Sequence, residues 1–180
     1  LIDPMPLGLS MIPPRPGFLE AVFAAARRQG ALVIADEVLN FRLGYRGAFA
    51  PFGLTADLVC LAKIIGGGFP VGALGGRAEV MDVFDHRRKD YVHHGGTFNA
   101  NPVSMAAGLA TMRKMTPQAY AALDALGDSL RDQLRRMLKS RGVAGQVMGR
   151  GSLFAVRLTN ETLSNWRDVN THSRREPIYG

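Results

Sequence analysis

Two short apolar runs, each stopping at an ionisable residue, do most to limit the folds open to this sequence. Leu32-Val33-Ile34-Ala35 runs into Asp36, and Leu58-Val59-Cys60-Leu61-Ala62 runs into Lys63. A strand that is apolar on both faces belongs in a parallel sheet covered by helices, so the fold class expected is α/β. The flanking residues agree. Phe18, Leu19, Val22, Phe23 and Ala26 recur at helical spacing between Pro16-Gly17 and Gly30, which predicts a helix near 18–29. A loop rich in Gly, Arg and aromatics covers 40–55, and Gly66-Gly67-Gly68 turns the chain into a third short strand from Val71 to Gly75.

The second half reads differently. Asn101-Pro102 has the cap-then-proline order of a helix start, predicting a helix over 102–115. Thr116-Pro117 repeats the signal. Leu123, Leu126, Leu130, Leu134, Met137 and Leu138 then form one stripe of a long helix to about Arg141. Val147-Met148 and Leu153–Val156 read as strands joined through Gly149 and Gly151, and no structure is assigned beyond Thr159. The change from glycine-rich α/β to one long helix plus strands places a domain boundary near 116.

Composition removes several classes of function. The 180 residues are 47% hydrophobic and 21% charged, an ordinary globular balance. The single cysteine, Cys60, excludes a disulfide framework and a cysteine-based zinc site, and it fits a reducing compartment; a cytoplasmic location is expected. No apolar run approaches the roughly 20 residues of a membrane span. The net charge of +7 invites a nucleic-acid reading. However, Arg131, Arg135, Arg136, Lys139 and Arg141 crowd the last turns of one helix, where cations complement the carbonyl end of the dipole. They are read as a solvated helix end, and no nucleic-acid or membrane partner is expected. His93-His94 has no carboxylate or histidine at ligand spacing, so no metal is assigned. The start on Leu1 and the stop at Tyr179-Gly180 read as cuts in a longer chain.

The chemistry rests on Asp36 and Lys63. In open parallel sheets ligands bind at the carboxyl ends of strands, so the two side chains are expected to face one crevice. A carboxylate behind four apolar residues is expensive unless paired. Two arrangements would satisfy it: a direct ion pair with Lys63, or a ligand between them. Pyridoxal phosphate (PLP) is one such ligand. It needs a nucleophilic lysine amine, which desolvation favours, and an anion beside its ring nitrogen. A period of two would place Val38 on the face of Asp36, against the ring.

Three strings extend this reading: Ile34-Ala35-Asp36-Glu37-Val38, Lys63 to Ala73 (KIIGGGFPVGA), and Gly96-Thr97-Phe98-Asn99-Ala100-Asn101-Pro102. In this order and spacing the sequence resembles class III aminotransferases, and within them the glutamate-1-semialdehyde 2,1-aminomutase branch, from about Pro14 to Phe154. The resemblance implies the type I PLP fold in a homodimer, with residues 1–115 as the C-terminal half of the large cofactor-binding domain and 116–180 as the beginning of a small α+β domain. It implies that Asp36 binds the pyridine nitrogen, Val38 packs on the ring, and Lys63 forms the aldimine and moves protons. Thr97 would reach the phosphate in the neighbouring subunit. The reaction implied is amino-group transfer from an amino donor to a keto acid or aldehyde, or its intramolecular aminomutase form. The loop Val38-Leu39-Asn40-Phe41-Arg42 is shorter than the family pattern, which leaves substrate specificity and any role of Arg42 open. The family's phosphate-binding first half is absent, so this piece alone is expected to be inactive. A truncated fragment that only binds a partner is the non-enzymatic alternative.

Overall fold

The computed structural model describes residues 1–172, and the end of the chain at Tyr179-Gly180 lies outside them. The chain divides into two compact units: Leu1–Pro4 with Arg15–Tyr120, and Met5–Pro14 with the residues from Ala121 onward.

The first unit is built on a helix, α1 (Phe18–Arg28), followed by strand β1 (Ile34–Asp36). Leu19 and Phe23, four residues apart and therefore on one face, are each 1% exposed. They pack with Val33, Ala35 and Phe49 into the apolar core, and the rings of Phe23 and Phe49 meet at 5.6 Å. Arg27 and Arg28 occupy the last turn of α1, and Gly30 takes a φ of +64° to release the chain toward the sheet. Strand β1 starts two residues later than the apolar run suggests, because Leu32 is left outside at 53% exposure.

Strand β2 (Leu58–Ala62) lies parallel to β1 with Ile34 opposite Leu58, Ala35 opposite Val59 and Asp36 opposite Cys60. On the other edge of β1, Ile2 forms a parallel bridge with Ala35. Strand β3 (Gly72–Gly76) returns antiparallel on β2. The sheet is therefore parallel in two of its pairings, as the apolar runs require, and antiparallel at its β3 edge. After a short helix α2 (Ala78–Met81), helix α3 (Pro102–Lys114) begins on the cap Asn101, whose Oδ1 accepts the amides of Val103 at 3.0 Å and Ser104 at 3.3 Å.

The second unit takes most of helix α4 (Pro117–Ser140), the hairpin β4 (Gln146–Arg150) with β5 (Leu153–Arg157), and helix α5 (Trp166–His172). A two-residue turn, Gly151-Ser152, joins the antiparallel strands. Three expectations change here. Leu126, Leu130 and Met137 of the leucine stripe are 66%, 42% and 51% exposed, while Gly127 and Arg131 of the same helix are buried. A methyl at Gly127 would overlap the Gly151 carbonyl oxygen, so the backbone of α4 sits directly on the hairpin turn. Arg131 donates to that same carbonyl and to Asp128, and Arg135 donates to the Val147 carbonyl at 3.0 Å. Both fasten the helix to the hairpin, Arg131 as a buried residue and Arg135 while half-exposed; Arg136, Lys139 and Arg141 are exposed, as a solvated helix end requires. Helix α5 forms where no structure was expected, on the cap Asn165, whose Oδ1 accepts the amides of Arg167 and Asp168. Among the described residues no helix is long and apolar enough to cross a membrane.

Candidate active site

Asp36 is the last residue of β1 and Lys63 follows the last residue of its parallel neighbour β2, so both stand at the same end of the sheet. Among the described residues no ion pair joins them, which removes the direct salt bridge as the partner for either. Asp36 is half-buried. Its Oδ1 accepts the Val38 amide at 3.1 Å, and Oδ2 accepts no hydrogen bond among the described residues. That leaves one carboxylate oxygen fixed by the local turn and the other available to a donor. Val38 lies past the end of β1 and inside that turn, so strand alternation gives no reason for its placement; its amide donates to Asp36.

Lys63 opens a 3-10 turn, Lys63–Gly66, with a φ of +52°. A non-glycine residue in this left-handed region costs roughly 1–2 kcal/mol, and such strain collects at functional sites. The Lys63 side chain is exposed and lines a cavity of about 610 Å³ together with Arg42, Leu39, Ile64, Phe69 and Val71. Of the residues expected to handle a cofactor, Lys63 lines this cavity, while Asp36, Val38 and Thr97 do not. Thr97 is exposed in the turn that leads into α3, ahead of Ala100 at φ +53°.

Sequence reasoning passes over Glu37 and Tyr120, which hold the loop that carries Arg42. Glu37 is 5% exposed, and its Oε2 accepts the Ala48 amide at 2.9 Å. Burial pushes its carboxyl above the ordinary value, against the pull of the Ala48 and Phe49 amides. Gly47 is required beside it, with φ +87° and space for a Cβ only 2.7 Å from Glu37 Oε2. The Tyr120 hydroxyl donates to the Phe41 carbonyl at 3.3 Å, and its ring stands edge-on to Tyr45. Burial, then the Glu37 charge, raise its phenol above the ordinary value, with Arg42 opposing. An acid placed just after a buried strand, followed by a loop rich in glycine, is the one signal that pointed to Glu37. Tyr120, far along the chain, carried none.

Residues 2–176 match the family profile described as Aminotransferase class-III. A glutamate-1-semialdehyde 2,1-aminomutase from Sorangium cellulosum is 40% identical over 172 residues, covering 95% of this chain and 39% of its own length. An omega-transaminase from Sphaerobacter thermophilus superposes with a TM-score of 0.88 at 48% identity, over 93% of this chain and 38% of its own. A transaminase structure with PLP bound gives a TM-score of 0.82 at 38% identity, over 89% of this chain and 38% of its own. The chain thus spans about two fifths of the length of the proteins it matches.

Proposed function

The chain belongs to the class III aminotransferase family, and from that premise we propose that it is the lysine-bearing part of a PLP-dependent enzyme that transfers an amino group. The observation that carries the reading is the pair Asp36 and Lys63, which end adjacent parallel strands without bonding to one another. A protonated pyridine nitrogen is a donor suited to the open oxygen of Asp36, and the Lys63 amine is suited to the cofactor's aldehyde. When bound, PLP supplies the electron sink that stabilises a carbanion next to the transferred nitrogen. Asp36, held by the Val38 amide, would keep the ring nitrogen charged. Val38 would pack on the ring. Lys63 would hold the cofactor and then move the proton at the reacting carbon, its Nζ in no ion pair among the described residues. Thr97 would meet the phosphate held by a second copy of the chain in a homodimer.

Residues 1–115 are read as the C-terminal half of the cofactor-binding domain and 116–180 as part of a small C-terminal domain. The substrates are an amino donor and a keto acid or aldehyde acceptor, handled in the cytoplasm. Transfer between two molecules is favoured by the 48% identity to a transaminase. The intramolecular aminomutase reaction is the second reading, supported by the 40% identity to an aminomutase. Product formation from glutamate-1-semialdehyde without an added amino donor or acceptor would decide for the second.

Borohydride reduction of the full-length protein with PLP tests the site. The label is expected on Lys63, with turnover abolished in Lys63→Ala and reduced on the order of 100-fold or more in Asp36→Asn, the fold being kept in both. A label on Lys89 or Lys114 would end the assignment.

A further inference from the structure

The strained backbone of Lys63 is held from outside its own strand. The turn it opens closes on Gly67, at φ +60°, whose amide donates to the Ile64 carbonyl at 3.2 Å, and the Phe69 amide donates to the Gly66 carbonyl at 3.1 Å. On one side of this turn stands Val71, whose Cγ1 is 2.6 Å from where a Cβ on Gly66 would be. Helix α3 also bears on the turn, and at Gly108 the two backbones meet directly. A methyl on Gly108 would overlap the Ile65 carbonyl oxygen and lie 3.6 Å from the Gly66 Cα. A methyl on Gly67 would overlap Thr111 Oγ1 and stand 2.5 Å from the Ala107 carbonyl oxygen. Ser104, Gly108 and Thr111 lie along one stripe of the helix, and Ser104 and Gly108 are its two buried residues.

We propose that Gly108, with Thr111, is a positioning residue for Lys63. It lets α3 press on the Ile65 carbonyl, two residues beyond the lysine, and so keeps the turn in the left-handed conformation that presents Nζ to the cavity. The inference rests on the reading of Lys63 as the reactive amine and adds the element that aims it. Proline- and glycine-free helices seat themselves through side chains, which can repack. A backbone-on-backbone contact cannot yield without moving one of the two chains.

The test uses the full-length protein as Gly108→Ala, Thr111→Ala and, on the exposed side of α3, Ala110→Ser as control. Alanine is the better helix former, so any loss in Gly108→Ala comes from the contact and not from the helix. Two readouts are taken: the pH-dependent rate at which added PLP is trapped on Lys63 by borohydride in the cofactor-free protein, and kcat against KM. Gly108→Ala is expected to slow trapping and kcat by about 10–100-fold, as for misplacement of a reacting group, with KM nearly unchanged and the pH midpoint of trapping displaced. Thr111→Ala, which loosens the contact where Gly108→Ala crowds it, is expected to give a smaller loss in the same direction, and it decides the matter if Gly108→Ala does not fold. Wild-type trapping rates in folded Gly108→Ala and Thr111→Ala, even with a lowered Tm, would overturn the positioning role and leave the assignment of Lys63 standing. A wild-type protein that traps PLP on another lysine would overturn the assignment itself, and this inference with it.

Discussion

Helices α1 and α3 belong to the same unit, yet they are seated by opposite means. Helix α1 is amphipathic, and its apolar stripe puts Leu19 and Phe23 into a core shared with Val33, Ala35 and Phe49. Helix α3 is apolar nearly all round, but Val103, Met105 and Leu109 are 55%, 43% and 54% exposed, Met105 and Leu109 along an open cavity beside Val71 and Ala73, while Ser104 and Gly108 are buried. One helix is held by the area it removes from water, the other by how closely its backbone can approach the Lys63 turn. Side-chain packing makes a stable platform. Close backbone contact fixes the position of a neighbour, which suits the role proposed for Lys63. Helix α4 repeats the second device in the other unit, with Gly127 on the Gly151 carbonyl and Arg131 bonded to the same oxygen.

The contrast can be broken in order of expected effect. Phe23→Ala should cost about 3–5 kcal/mol, the transfer term plus the cavity it leaves, read as a lowered urea midpoint of the 180-residue chain. A cost under about 1 kcal/mol would mean that α1 is not held by its buried face. Glu37→Ala comes next, because Glu37 ties down the Ala48 and Phe49 amides and so fixes the ring that Phe23 packs on. Leaving those amides without an acceptor should cost about 1–3 kcal/mol.

Glu37 also gives a pH signature. Its carboxyl lies above the ordinary value of 4.5 in the folded chain, so the folded state holds the proton more tightly than the unfolded state. Its contribution to stability is complete below about 4.5 and is lost as the pH rises through the raised folded value. Glu37→Gln should flatten this part of the stability–pH curve, and an unchanged slope would mean that another group titrates there. The smallest effect is expected from Leu109→Ser, within about 0.5 kcal/mol for an exposed site. A loss as large as that of Phe23→Ala would show that α3 too is held by its apolar side chains.

The strand ends that carry Asp36 and Lys63 were legible because their signals are local. An apolar run that stops at Asp36 or Lys63 announces both the strand and the end of it, and the motif strings around them carry the family. What was misread follows from non-local contacts. The leucine stripe of α4 was half right: Leu123, Leu134 and Leu138 are half-buried on the face of Gly127 and Arg131, while Leu126, Leu130 and Met137 are exposed, since periodicity counts apolar side chains and gives no weight to a glycine whose value is the absence of one. Arg131 and Arg135 of that helix looked solvated because the carbonyls they bind, Gly151 and Val147, come from a later hairpin. Helix α5 was missed although Asn165 followed three residues later by Asp168 is a capping pattern; no apolar period accompanied it strongly enough to be read.

The amino-acid sequence by itself determined where β2 runs, where β1 ends, which ends carry Asp36 and Lys63, and which face of α1 turns inward, because period and termination depend on neighbours a few residues away. The tertiary structure alone decided that β3 returns antiparallel, that Met5–Pro14 joins the second unit, that Glu37 and Tyr120 hold the Arg42 loop, and that α3 bears on the Lys63 turn through Gly108. Each of these depends on groups distant in sequence meeting at hydrogen-bond or van der Waals range, and no local pattern of side chains records that meeting.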